Sequence, residues 1–280
     1  MEKAKRVYDI YFPGCAFPSW VLDTWRNHEF SKTTVFYHGD ESLEDVKLLM
    51  KHREPCNIGM GRLYDQKKMG RAFGYERGAY ELSTSNKLMP NLAVYVRATV
   101  LVKGVLRKAH VINAIGLAFD RREQPDYRYF DGKPVGEIVA WYNRMWRLVL
   151  AAAKWSGCKR LKIFNVGGGA FAGPHGGDNF IRNIFEPAFA PLLLDFKQSG
   201  IEVDGYNWAA HRFHGDTIPD VLEVEDLDEV AFVNAWDPWS LIGNGNERDF
   251  SLDGAWGRIS NMAVLGWSET NPFIQWRVAS

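Results

Sequence analysis

Charge imbalance, paired cysteine and long apolar runs are all missing from this chain, and each absence closes a route. Across 280 residues, 34 Lys and Arg offset 34 Asp and Glu, for a formal net charge of zero. No global field therefore draws the protein to nucleic acid or to an anionic membrane, and neither is expected as a partner. Cysteine is limited to Cys15, Cys56 and Cys158, odd in number and widely spaced. That pattern fits neither a disulfide framework nor a metal-binding spacing, and it implies a reducing compartment. No apolar run reaches membrane-spanning length, and the opening MEKAKRVYDIYFPGC lacks the apolar stretch of a secretory signal. The expectation is a cytoplasmic protein, or one delivered by a route that uses no cleavable signal peptide. G-x-S-x-G is absent, so no nucleophile elbow is expected. The glycines of NIGMGRLYDQKKMGRAFGYERG (57–78) match neither the dinucleotide fingerprint nor the P-loop, and the segment reads as a basic loop.

What is present is ordinary in bulk and informative in pattern. With 46% hydrophobic and 24% charged residues the chain can bury a large core. Aromatics reach 14%, including 11 Trp; they serve an aromatic-rich core or line a pocket for a planar group. VYDIYF and TTVFYHG read as short strands, and SLEDVKLLMKH as a helix capped by Ser42. From about residue 91 strands and helices alternate. LAVYVRATVLV and HVINAIG are strand-like, and EIVAWYNRMWRLVLAAAKWSG places Ile138, Tyr142, Met145, Trp146, Val149 and Ala152 at helical spacing, with Gly157 at its end. RLKIFNVGGG, IEVDGY and EVAFVNAWD follow as strands, separated by a helical stretch ending in LLLDFKQSG, and GRISNMAVLGW carries a last helix beyond Asp253. This alternation predicts an α/β fold with a mostly parallel central sheet covered on both faces. The whole chain, 1–280, reads as one domain, with 1–90 an N-terminal elaboration and 91–280 the core.

Parallel sheets of this kind bind ligands outside the carboxyl ends of their strands. Three strands are read as ending there in asparagine: Asn113, Asn165 and Asn234. Asn is also a common turn former, so the shared cleft rests on the coincidence of three. After Asn165 comes Gly167-Gly168-Gly169-Ala170-Phe171, whose near-absence of side chains lets backbone amides approach an anion. GGDNF beyond it reads as another helix start.

The segment NAWDPWSLIGNGNERDFSLDG sets Asp237, Asp249 and Asp253 around Gly243, Asn244 and Gly245. Three roles are open to these acids: a carboxylate metal site, a helix cap (Asp253 above all), or a carboxylate facing a sugar, where it orients water or stabilises charge at an anomeric carbon. His211 and His214, three residues apart, lack a third ligand nearby and read as a surface or core-edge pair.

At VINAIGLAFD and IFNVGGGAFAG the chain resembles the macro-domain superfamily, and more closely its poly(ADP-ribose) glycohydrolase-like branch. The closing NAWDPWSLIGNGNERDFSLDG and SNMAVLGWSETNPF are similar to bacterial effector ADP-ribosylhydrolases that act on ADP-ribosylated ubiquitin. The resemblance covers roughly residues 91–280. It implies a macro-domain-like three-layer fold, ADP-ribose or an ADP-ribosylated protein such as ubiquitin as partner, no cofactor, no metal, and action in a host cytosol. It also implies that Asn113 lies near the distal ribose and that residues 167–171 cradle the diphosphate; the strand-end reading adds Asn234, and Asp120 and the loop Gly243, Asn244 and Gly245 are taken to border the same ligand. The adjacent glutamate pair that glycohydrolases carry after their glycine run has no counterpart in GGGAFAGPHGGDN. Catalytic carboxylates must then come from elsewhere: Asp237, Asp249 and Asp253 first, with Asp120, near the first loop, a further candidate. A binding module without catalysis and a metal-dependent phosphohydrolase acting on a nucleotide diphosphate are the alternatives.

Overall fold

Local signals account for the first elements. The computed structural model describes residues 19–26, 33–50, 88–164, 166–204, 218–236, 242, 252–266 and 271–279. Helix α1 (Ser19–Arg26) precedes strand β1 (Thr34–Tyr37) and helix α2 (Leu43–Leu49). Ser42 caps α2 as expected: its side chain accepts the Asp45 N–H, and Glu44 and Asp45 fill the first turn, where the helix dipole favours acids. Strand β2 (Leu92–Val102) turns into β3 (Val105–Ile115) through Lys103-Gly104, both at positive φ (46° and 82°). Such a turn matches the twist of an antiparallel pair, and the ladder runs from Val102 opposite Val105 to Ala93 opposite Ala114. β3 therefore starts five residues earlier than HVINAIG indicated, and this part of the sheet is antiparallel.

Helix α3 (Pro125–Phe130) leads into α4 (Val135–Ser156), which stops at Gly157 in the left-handed conformation (φ 74°). Strand β4 (Arg160–Lys162) is followed by a 3₁₀ turn, Ala170–His175. The chain then climbs through α5 (Asp178–Phe180), a π turn (Ile181–Phe185), α6 (Glu186–Phe189), a 3₁₀ turn and α7 (Leu193–Gln198). Strand β5 (Glu202–Asp204), helix α8 (Ile218–Val224), strand β6 (Val230–Trp236), helices α9 (Leu252–Ile259) and α10 (Met262–Leu265), and strand β7 (Gln275–Val278) complete the order.

The seven strands form one mixed sheet in the order β5-β4-β6-β3-β2-β1-β7. Four neighbouring pairs are parallel, β5–β4, β4–β6, β6–β3 and β1–β7, and two, β3–β2 and β2–β1, are antiparallel. The molecule is thus α/β with a mostly parallel sheet by pairing, and β1, from the region before residue 91, lies inside it. Alternate residues feed two cores. Ile112, Ala114, Ala231 and Val233 face α4 and the helical climb after it, where Trp146 meets Phe185 and Phe189 edge-on. Val111, Ile115, Phe232 and Trp236 face the other way, toward Leu222, Trp256, Met262 and Leu265. Covering both faces is what makes β6 an almost unbroken apolar run. Many of the large aromatics are core: Trp146, Trp256, Tyr142, Phe180, Phe185 and Phe189 are fully buried.

Candidate functional site

The parallel strands β4, β6 and β3 deliver their following loops to one edge of the sheet. The strap leaving β3, residues 116–119, lies directly on the glycine segment that follows β4. A Cβ on Gly116 would stand 2.5 Å from Gly167 Cα, so the two backbones touch. Three consecutive strap amides are each consumed by a different element. Leu117 N–H donates to the Tyr142 phenol oxygen (2.9 Å), Ala118 N–H to Asp126 Oδ2 (2.9 Å) and Phe119 N–H to the Phe171 carbonyl (2.6 Å).

Glycine is required here for contact as much as for ligand access. Gly167 has φ 86°, and a Cβ on it would collide with the Tyr142 phenol. Gly173 has φ 52°, and a Cβ there would run into the Phe119 carbonyl. Between them residues 169–171 are open: Gly169 has empty space on its Cβ side, Gly169 and Ala170 are exposed, and Phe171 is 38% exposed, whereas Ala172 is fully buried. Gly168 is half-buried. Asp120, at the end of the strap, lies 3.4 Å from Arg121 Nε and accepts a long contact from Gln124 Nε2 (3.5 Å).

Asn113 and Asn234 sit elsewhere than the strand-ending reading expected. They are in register on β3 and β6, two residues before those strands end, because Ala114-Ile115 and Ala235-Trp236 continue the ladder. Both are fully buried, on the face that carries α9. Asn113 Nδ2 donates to the Val94 carbonyl (3.0 Å), while Asn234 Nδ2 donates to Asn113 Oδ1 (2.9 Å) and to Asp253 Oδ1 (2.7 Å). Asp253, only 4% exposed, lies within the first turn of α9, which begins at Leu252 rather than beyond the aspartate. The bonds among the two amides and the carboxylate offset part of the cost of burying them, while Asn234 Oδ1 and Asp253 Oδ2 accept none among the described residues. The relay joins β2, β3, β6 and α9 beneath the edge where the loops emerge.

Asp237, Asp249, Gly243, Asn244 and Gly245 lie outside the described residues, as do Asn165, His211, His214, Cys15, Cys56, VYDIYF and the 57–78 loop. Cys158 is a free, buried thiol whose pKa burial pushes up. Among the described residues no three His, Cys, Asp or Glu side chains converge as metal ligands, and no helix is long and apolar enough to cross a membrane.

Two residues at this edge went unnoticed in the sequence. Asp126 reads as a routine first-turn acid in α3, yet it is 4% exposed and its pKa is pushed up to about 6. Burial is the cause, partly offset by the amides of Ala118 and Met89. Tyr142 reads as one member of the apolar stripe of α4. Its hydroxyl instead reaches the strap, and full burial raises its pKa above the usual phenol range. Beside them a shallow cleft of about 230 Å³ opens between Phe119, Phe130, Lys133 and His175. The His175 ring stands edge-on to Phe119 at 4.8 Å, and desolvation lowers its pKa. No protein-family model matches the chain, and no curated protein matches it.

Proposed function

We propose that this protein is an ADP-ribosylhydrolase of macro-domain type, which binds ADP-ribose at the carboxyl edge of its sheet and cleaves its glycosidic link to a modified protein. The observation that carries the reading is the open glycine segment 167–171, braced against the strap from β3 where parallel strands end. A stretch without large side chains except Phe171, braced from behind, is the kind of surface on which backbone amides receive a diphosphate. Of the acids, Asp253 lies beneath the same edge. The chain leaves β6 at Trp236, paired with Ile115 one residue before the strap, and re-enters at α9, where Asp253 meets Asn234. Asp237 and Asp249 belong to the segment between those two anchors.

In this reading the amides of 167–171 hold the diphosphate and the ribose lies toward Asp120. As the glycosidic bond loosens, a carboxylate among Asp237, Asp249 and Asp253 stabilises the oxocarbenium-like ribose and aims a water at it. In the same reading Asn113 and Asn234, hydrogen-bonded in series to Asp253, orient it from below. Arginine-linked ADP-ribose, on ubiquitin among other proteins, is the substrate class the resemblance favours, in a reducing cytosol.

A second reading has a specific observation behind it. Asp253 is nearly inaccessible and turned toward Asn234, an arrangement that serves a binding module as well as an enzyme. Calorimetry with ADP-ribose, run beside release of ADP-ribose from an arginine-modified protein, separates the two. Turnover falling by about 10²–10⁴-fold in at least one of Asp237→Ala, Asp249→Ala and Asp253→Ala supports hydrolysis. Tight binding without release favours the module, and turnover abolished by a chelator favours a metal-dependent phosphohydrolase.

A further inference from the structure

We infer that Asp126 and Tyr142 are positioning residues that set the conformation of the glycine segment through the strap 116–119, an inference that rests on reading that segment as the anion-binding surface. The strap meets the segment at three points: Gly116 on Gly167, Phe119 N–H on the Phe171 carbonyl, and the Phe119 carbonyl against Gly173. Nothing in the strap's own sequence would hold it there. Two more of its amides are taken by side chains from outside, Leu117 N–H by Tyr142 of α4 and Ala118 N–H by Asp126 of α3. Tyr142 touches both parties, since its phenol also fills the space a side chain at Gly167 would need.

Three successive amides committed to three directions leave the strap one position. Any shift that lengthens one bond must break it or a neighbour, because hydrogen bonds weaken steeply with distance and angle. Asp126 is buried with its Oδ2 spent on the Ala118 N–H, so it acts on the segment through the strap. It acts as an acceptor, and a carboxylate oxygen is a stronger acceptor for a backbone N–H than a neutral one.

The test uses the full chain, with amide hydrogen exchange over 116–119 and 167–171 beside calorimetric affinity for ADP-ribose. Asp126→Ala should speed exchange in both segments, and weaken ADP-ribose binding, by about tenfold or more, the loss expected for one buried hydrogen bond. Asp126→Asn keeps one neutral acceptor oxygen for the Ala118 N–H but turns its NH2 toward the Met89 amide, and should fall between the wild type and Asp126→Ala in both readouts. Tyr142→Phe, which removes one hydroxyl, should reproduce the segment-local pattern should Asp126→Ala fold poorly. Ile201→Ala, in the core beside β5 at the sheet's far edge, is the control: it lowers global stability and should leave the protection of 167–171 relative to the rest unchanged. Wild-type exchange at 167–171 in Asp126→Ala and Tyr142→Phe overturns the inference, and Asp126→Asn as damaging as Asp126→Ala overturns the acceptor role. A wild-type protein that ignores ADP-ribose ends the proposed function alone, because the exchange arm needs no ligand and still decides the positioning role.

Discussion

Replacing Asp126 by Asn isolates what its buried charge costs the fold. In the folded protein burial pushes the pKa of the carboxyl up to about 6 from an ordinary value of 3.8. At 1.36 kcal/mol per unit, the ionised form is disfavoured in the folded state by about 3 kcal/mol. The residue is 4% exposed, so solvent screening takes little away. Below the unfolded pKa both states are protonated and the residue contributes nothing to pH dependence. Between 3.8 and about 6 the folded state keeps a proton that the unfolded chain has released, so stability falls as pH rises through this window. Above it the whole deficit persists. Asn does not titrate, and its side-chain oxygen can still accept the Ala118 N–H. Urea unfolding of both proteins from about pH 3 to about pH 7 gives the difference in unfolding free energy at each pH, which cancels the titrations they share. That difference, wild type minus variant, should decline by about 3 kcal/mol over the range and flatten at its upper end. A difference independent of pH would mean the carboxylate is solvated, and the account of Asp126 as a buried acceptor would be wrong.

Other substitutions probe the remaining features. Asn234→Ala removes the donor shared by Asn113 and Asp253 and should cost about 2–4 kcal/mol in chemical denaturation; additivity in an Asn234→Ala/Asp253→Asn double-mutant cycle would refute the relay. Gly167→Ala sets a side chain at φ 86° and drives it into Tyr142, so a loss of about 2–4 kcal/mol is expected from thermal unfolding, with ADP-ribose binding weakened in parallel. Gly157→Ala, at the left-handed end of α4 with open space around it, should cost only about 1 kcal/mol and leave binding unchanged.

Where structure follows from neighbours along the chain, the residues themselves were sufficient. Spacing of apolar residues and Gly157 mark α4 and its end, Ser42 marks the start of α2, and β-branched runs mark β2 and β6. These are local choices, made by rotamers, caps and the period of the backbone. Lys103-Gly104 carried the hairpin signal too, but weakly, since Lys is an unusual residue for a turn at positive φ. Tertiary structure decided the rest. Asn113 and Asn234 look like strand-ending turn formers until the pairing of β3 with β6 puts them side by side under α9. Gly167 and Gly173 look like ligand contacts alone until they are found pressed against Tyr142 and Phe119, where close packing as well as ligand access calls for glycine. Asp126 looks like a first-turn acid until Met89 and Ala118 close over it and move its pKa. Each of these depends on groups distant in sequence, and burial, register and desolvation exist only once the chain has brought them together.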